Sequence, residues 1–535
     1  MARKFNTAGP MIPKDHYMIP PLSRFDLDGI EELIENKRYF VLHAPRQVGK
    51  TSYLRALMEH LNEQGDVRCL YINVESGQAA RENVDGAMSA IAGELATRAL
   101  GNLKDDFIEN HWQDVFQRYG AFSALNVILT RWAWSSVLPL VLFIDEIDAL
   151  IGDTLISVLR QLRAGYDKRP SEFPQSIILC GVRDIRDYRI HSSREKEIIT
   201  GGSAFNIKAE SLRMGNFTHD EVLSLYQQHT DETGQRFTDD ALEQVWQLTN
   251  GQPWLVNALA HEATHKMKDA RDRTVVITEE RIQIAKEQII LRRDTHLDQL
   301  ADKLLEPRVQ RVIAPMLEGV EIDRTALNDD LQYLIDLGLV VLDENKSPQI
   351  ANPIYREIIP RQLITITEAN LGSRVQTSAY IQPDGRLDMG KLMRDFQQFF
   401  RENSEIWVDR FRYKEAGPQL LMQAYLQRVV NGGGMISREY GLGRGRTDLL
   451  IHWPIDSQSP QRVVVELKVF RGKKKATLQK LIDRGLEQTW QYMDRCGTDK
   501  GHLVIFDRNP DKPWKEKIFC RNESYNGQPI TVWGM

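Results

Sequence analysis

Strand-length apolar runs and helix-period stripes alternate along most of the chain. Tyr39-Phe-Val-Leu-His43 reads as a buried strand. After it, Leu54, Leu57, Met58 and Leu61 recur at i, i+3, i+4 and i+7, and Gly65 ends that helix. Further runs at about 68–74, 140–145, 176–181 and 204–207, with helices between, predict a parallel sheet covered on both faces. Past Phe217 the pattern turns helical, and Thr218-His-Asp-Glu221 has the form of a capping box. From about 300 to 365, a helix at Arg308–Pro315 and two more between Arg324 and Leu337 precede two short strands, Val340–Asp343 and Pro348–Ala351. That order predicts a winged helix. The stretch from Ile364 to Asp388 is polar and reads as a linker. Helices at about Gly390–Glu402 and 419–430 then lead to two apolar runs, Asp448-Leu-Leu-Ile-His and Val463-Val464-Val465.

Phosphate-binding chemistry lies between the first strand and its helix. Ala44-Pro45-Arg46-Gln47-Val48-Gly49-Lys50-Thr51-Ser52 resembles a Walker A loop with alanine at the first glycine position. Loop amides at a helix N-terminus cradle a β-phosphate, Lys50 would reach the β/γ-phosphates, and Thr51 would ligate Mg²⁺. The strand Leu140-Val-Leu-Phe-Ile-Asp145-Glu146 fits Walker B, with Asp145 holding Mg²⁺ through water and Glu146 polarising the attacking water. Arg183 and Asp184 follow the strand Ser176–Gly181, where a γ-phosphate sensor is kept in related ATPases. Arg186, Arg189 or Arg194 could supply an arginine finger. The segment Asn250-Gly251-Gln252-Pro253 resembles the lid turn of the archaeal-type and STAND ATPases within the AAA+ superfamily. In that resemblance, which covers residues 25 to 365, Pro253 packs near the adenine. It implies an ATP-binding homo-oligomer whose neighbouring protomers complete each other's sites.

A second chemistry lies near the C-terminus. Asp448 heads one apolar run, and eighteen residues later Glu466-Leu467-Lys468 closes the next. Two carboxylates and a lysine at neighbouring strand ends suit one or two divalent cations beside a phosphodiester. Gln488 and Tyr492 stand four apart on the helix that follows, and so share one of its faces. The arrangement resembles the PD-(D/E)xK nuclease superfamily, in its RecB-like branch. The resemblance implies that Asp448 and Glu466 bind Mg²⁺ or Mn²⁺, that Lys468 acts in catalysis, and that Gln488 and Tyr492 position the strand. The family's first-helix glutamate has no counterpart between Gln419 and Val430; Glu415 or Glu439 could serve.

Charge narrows the partner. The net charge of −5 gives no basic field over the whole protein, yet residues 461–485 carry eight Lys/Arg against Glu466 and Asp483. That stripe suits DNA phosphates. The winged helix does not: no Lys or Arg occurs from Ala326 to Asp343, while Asp329, Asp330, Asp336 and Asp343 do. Its expected role is coupling, oligomerisation or a protein partner. At 535 residues, 42% hydrophobic and 27% charged, the chain reads as soluble and of several domains. Its longest apolar stretch, Val137–Ile144, is too short to span a bilayer, and the start lacks an apolar signal core. Cys69, Cys180, Cys496 and Cys520 show no CxxC spacing, which points to a reducing cytoplasm without structural zinc. His43 reads as a packed residue.

The expected fold class is α/β: a P-loop NTPase parallel sheet with helical lid and winged helix, plus a C-terminal restriction-endonuclease-like α/β domain. The expected segments are 1–24 N-terminal, 25–215 ATPase core, 216–299 lid, 300–365 winged helix, 366–389 linker and 390–535 nuclease-like. Together they imply an ATP-dependent or ATP-gated, metal-dependent DNA nuclease, in defence against or processing of foreign DNA. The alternative is a STAND-like signalling or scaffold ATPase whose nuclease fold binds without cleaving.

Overall fold

The computed structural model describes residues 3–184, 189–192, 197–200, 205–292, 297, 300, 302–318, 328–371, 377–408, 417–430, 433–439, 448–455, 458–470, 475–509 and 511–535. Two units divide the chain, Met1–Ile289 with Ile335–Gly338, and Ile290–Leu334 with Leu339–Met535. Among the described residues no helix is long and apolar enough to cross a membrane.

The first unit runs α1 (Leu27–Glu35), β1 (Tyr39–His43), α2 (Lys50–Gln64), β2 (Arg68–Asn73), α3 (Val84–Leu103), α4 (Phe107–Tyr119) and α5 (Ala121–Ser135). It continues with β3 (Leu140–Asp145), α6 (Gly152–Ala164), β4 (Ser176–Gly181), a hairpin of β5 (Arg189–Ser192) and β6 (Glu197–Thr200), and β7 (Lys208–Arg213). The helices α7 (His219–Thr233), α8 (Asp239–Thr249), α9 (Pro253–His261) and α10 (Glu279–Arg292) follow. Five strands form one parallel sheet in the order β2-β3-β4-β1-β7. Every residue of β1, β3 and β4 is buried, because helices cover both faces and leave no side for polar positions. One face packs Leu70, Leu142 and Leu179 against Leu95, Leu129, Trp132 and Leu159 of α3, α5 and α6. The other packs Phe40, Phe143 and Ile178 against Ile30, Tyr53, Leu54 and Leu57 of α1 and α2.

The fifth strand departs from the sequence reading. It begins at Lys208, and residues 205–207 form a turn. Phe205 is buried beside Tyr39 and belongs to the face of the core covered by α3, α5 and α6. The strand itself lies at the sheet edge, half exposed, so it carries Lys208, Glu210 and Arg213 in place of an apolar run. The capping box does form: the Thr218 hydroxyl accepts from the Glu221 amide, and the Glu221 carboxylate accepts from the Thr218 amide.

The second unit contains α11 (Pro307–Glu318), most of α12 (Asn328–Asp336), an antiparallel pair β8 (Val340–Leu342) and β9 (Pro348–Ile350), α13 (Pro353–Leu371), α14 (Met389–Val408) and α15 (Gly417–Val430). Then come β10 (Met435–Glu439), β11 (Asp448–Ile455), β12 (Gln458–Phe470), α16 (Lys475–Cys496), β13 (Gly501–Asp507), β14 (Phe519–Tyr525) and β15 (Gln528–Gly534). These six strands form a mixed sheet in the order β10-β11-β12-β13-β15-β14. Of the linker expected over 366–389, residues 366–371 and 377–389 are described and belong to this unit. Helix α13 continues to Leu371, Tyr380 is buried with its hydroxyl 2.9 Å from that of Tyr425, and Gln461 bonds both backbone groups of Leu387. Polar composition there marks a helix end and a turn held by side chains.

Helix α16 joins β12 to its parallel neighbour β13 and covers them with Ile482, Leu486 and Met493 against Val464, Leu503 and Ile505. On β13, His502 accepts a hydrogen bond at Nδ1 from Trp533 Nε1 at 3.1 Å. Burial, with Lys500 nearby, pushes its pKa from 6.5 down to about 4. The fold therefore favours the neutral imidazole, whereas the unfolded chain takes up a proton below about 6.5. This stabilisation is full above that value and is lost as pH falls towards 4, by up to about 3 kcal/mol. Thermal melting at pH 7.5 and pH 5 should show the second unit losing stability in acid, and His502→Gln should flatten that difference.

Candidate functional site

Strand β1 delivers the loop 44–49 to the N-terminus of α2. Gln47 at φ 59° and Gly49 at φ 108° turn the backbone through left-handed positions, and Lys50 opens the helix. That geometry leaves the first-turn amides, with the positive helix end, to face an anion. Ala44 is fully buried, Val48 is buried, and Arg46 and Gln47 are exposed. The buried ammonium of Lys50 donates to the carbonyls of Ala44 at 2.9 Å and Pro45 at 3.0 Å.

The neighbouring strand supplies the acids. Asp145 ends β3 with no exposed surface, and its Oδ2 accepts from Thr51 Oγ1 at 2.8 Å. Tyr71 Oη donates to the same oxygen at 2.9 Å, and the Glu146 amide donates to Oδ1 at 2.9 Å. Glu146 itself has φ 56°, left-handed for a residue with a β-carbon. Its carboxyl pKa is raised by burial and by Asp145 and Asp148, against the opposing pull of Lys50 and Arg46. A carboxylate moved towards neutrality is a better proton acceptor at the working pH. The Thr51 hydroxyl and Asp145 carboxylate are the hard oxygen donors that Mg²⁺ takes, so these two residues fit the ion and would hold it.

Two features here have no sequence motif. Tyr71 lies on β2 and meets Asp145 only because β2 pairs with β3, Asn73 standing opposite Asp145. The N-terminal segment crosses the loop: the Met11 amide donates to Ser52 Oγ at 3.1 Å, and Trp254 Nε1 donates to the Thr7 carbonyl at 2.9 Å. Phe5 and Tyr17 of that segment are buried against Tyr226 and His229 of α7. At the lid turn, Pro253 is the first residue of α9 and Gln252 caps it. Gly251 has φ 71°, and a β-carbon there would stand 2.0 Å from the Phe217 carbonyl oxygen, so only glycine fits.

The sensor candidates are committed to ion pairs. Arg183 bonds Asp336 at 3.1 Å, and Asp184 takes the Lys208 ammonium at 2.6 and 2.7 Å. Arg186 and Arg194 lie outside the described residues, and Arg189 opens β5. His43 is buried in β1, where burial lowers its pKa.

In the second unit, β11 and β12 run antiparallel with Asp448 opposite Glu466. Glu466 is fully buried, and the ammonium of Lys468, two residues on, contacts its carboxylate. Gln488 and Tyr492 are buried on α16, the helix packed on β12 and β13. Glu439 stands opposite Asp448 on β10, while Glu415 lies outside the described residues. Helix α15 carries no acid and instead buries Gln419, Gln423 and Gln427. Among the described residues no cluster of three or more His, Cys, Asp or Glu side chains is placed to hold a metal. Of the basic stripe 461–485, Arg462, Lys480 and Arg484 are exposed, and Arg471, Lys473 and Lys474 lie outside the described residues.

Residues 33–188 match the AAA domain family. No curated protein matches the chain. Among solved structures, it is similar to a Walker-type ATPase of Pyrococcus abyssi at 18% identity and TM-score 0.40, over 66% of this chain and 99% of that one. It is also similar to Cdc6p from Pyrobaculum aerophilum (15%, TM-score 0.34, 65% and 93%). A third similarity is to the RuvB Holliday junction branch migration motor of Thermotoga maritima (14%, TM-score 0.33, 62% and 95%). With the five-stranded parallel sheet, the loop at 44–52 and the acids at 145–146 in place, residues 33–188 are an AAA-type P-loop ATPase domain.

Proposed function

We propose that the chain is an ATP-gated, metal-dependent nuclease acting on DNA. The observation that carries this reading is the register of β11 on β12, which sets Asp448 opposite Glu466 with Lys468 two residues further along. Directly opposite positions of an antiparallel pair share a face of the sheet. The chemistry of this donor set, two carboxylates, fits Mg²⁺ or Mn²⁺, and Asp448 and Glu466 would hold the ion. Such an ion polarises a phosphodiester and lowers the pKa of bound water. Lys468 places a cation beside Glu466, suited to offset charge on a phosphate. Gln488 and Tyr492, one turn apart on the following helix, position the strand, and Arg462, Lys480 and Arg484 add phosphate contacts.

The ATPase domain gates this chemistry through assembly of like subunits, with the acidic segment 300–365 as the coupling or partner-binding part. The test uses the full chain on linear and circular DNA, with Mg²⁺ or Mn²⁺, with and without ATP. Metal-dependent cleavage whose rate changes with ATP is expected. The Glu146→Gln variant with ATP should sediment as a larger species than the protein without nucleotide. Absence of cleavage under every condition removes the nuclease. Cleavage indifferent to ATP, from a species that stays monomeric, removes the gating and leaves the nuclease.

A further inference from the structure

Asp145 is a carboxylate with no exposed surface, and burying such a charge is costly unless donors surround it. Three hydrogen bonds do so: Thr51 Oγ1 and Tyr71 Oη on Oδ2, and the Glu146 amide on Oδ1. The Cys180 thiol on β4 lies against the same carboxylate from the other side. Of the two hydroxyls on Oδ2, that of Thr51 serves two needs, since it is also the Walker A oxygen suited to Mg²⁺. Tyr71 serves one. Its ring is 3% exposed and packed in the α1/α2 face of the core, so the hydroxyl is fixed on the carboxylate by its surroundings. A buried tyrosine hydroxyl usually finds a partner, and a backbone carbonyl would satisfy it equally well. Here the partner is the one acid that the nucleotide-bound metal needs in a set orientation.

We infer that Tyr71 is a positioning residue of the ATP site: it holds Asp145 Oδ2 in place so that Thr51 is released to the Mg²⁺ of bound nucleotide. Without it, Thr51 is the remaining hydroxyl donor to that oxygen, and giving it up exposes the carboxylate's burial cost. Tyr71 acts through Asp145, on which its hydroxyl is placed.

Tyr71→Phe removes one oxygen and keeps the ring. A fluorescent ATP analogue is titrated into the full chain, once in EDTA and once in excess Mg²⁺. Affinity in EDTA should stay within about twofold of wild type, while the gain conferred by Mg²⁺ should shrink at least about fivefold, the scale of one hydrogen bond to a charged acceptor. The Mg²⁺ concentration that half-saturates hydrolysis should rise in parallel. Cys180→Ser, which alters the neighbour on the other side and keeps a donor to Asp145 there, should leave the Mg²⁺ gain intact. An unchanged Mg²⁺ gain in Tyr71→Phe overturns the inference. So does an equal loss in EDTA and in Mg²⁺, or the same loss in Cys180→Ser, since both describe a packing defect.

Discussion

Glu146→Gln is expected to bind ATP as the wild type does and to hydrolyse it at least about a hundredfold more slowly, the usual scale of a lost general base. The amide has the size of the carboxylate but accepts no proton from water. Because burial and two neighbouring acids raise the Glu146 pKa, the acid limb of the wild-type rate profile should lie above the ordinary carboxylate range. In the variant that limb should disappear from whatever turnover remains. Lys50→Ala acts one step earlier. Its ammonium bridges the Ala44 and Pro45 carbonyls at the loop, beside the N-terminus of α2. Removing it deletes the lysine expected to reach the β/γ-phosphates and should weaken nucleotide binding at least about tenfold, the scale of a lost charge-assisted contact. Titration with a fluorescent nucleotide separates the two variants. Wild-type affinity in Lys50→Ala would mean that the alanine-bearing loop is no working P-loop.

Asp448→Asn should abolish metal-dependent DNA cleavage and leave ATP turnover near the wild-type level. The substitution keeps the length of the side chain and removes the negative charge a divalent cation requires. It is a cleaner probe than Lys468→Ala. Glu466 is fully buried with Lys468 against it, and stripping a partner from a buried ion pair costs about 3–5 kcal/mol. A dead Lys468→Ala preparation could therefore be an unfolded one, so melting curves must accompany it. Glu466→Gln leaves the Lys468 ammonium facing an uncharged amide oxygen, should also be inactive, and needs the same melting curve. Cleavage surviving in a clean Asp448→Asn preparation, at a rate following metal concentration as in the wild type, would sink the assignment.

Much of the ATPase core was legible because its signals are local. The apolar runs of β1, β3 and β4 are fully buried, so nothing polar interrupts them, and the loop between β1 and α2 is a contiguous string. The capping box at Thr218 and Glu221 spans four residues and forms as written. What failed was set by distant pairing. Strand β7 at the sheet edge wears a polar pattern, and Phe205, which looked like strand, is a core residue. Tyr71 reads as one more apolar strand residue until β2 is laid beside β3. The N-terminal segment gave no periodic signal because its anchors, such as Met11 on Ser52 and Thr7 on Trp254, are contacts across long sequence separations. In the second unit the motif residues were visible, and the facing of Asp448 and Glu466 came only with the register.

The left-handed backbone at Glu146 has an implication for anyone engineering this protein. A side chain held there costs about 1–3 kcal/mol relative to an unstrained position, and glycine escapes most of that. Ranked by melting temperature alone, glycine at 146 would look like an improvement. Ranked by turnover, it would be among the worst choices. Selection for heat resistance without a catalytic readout would thus drift towards erasing the residue expected to act as base, trading strain for stability.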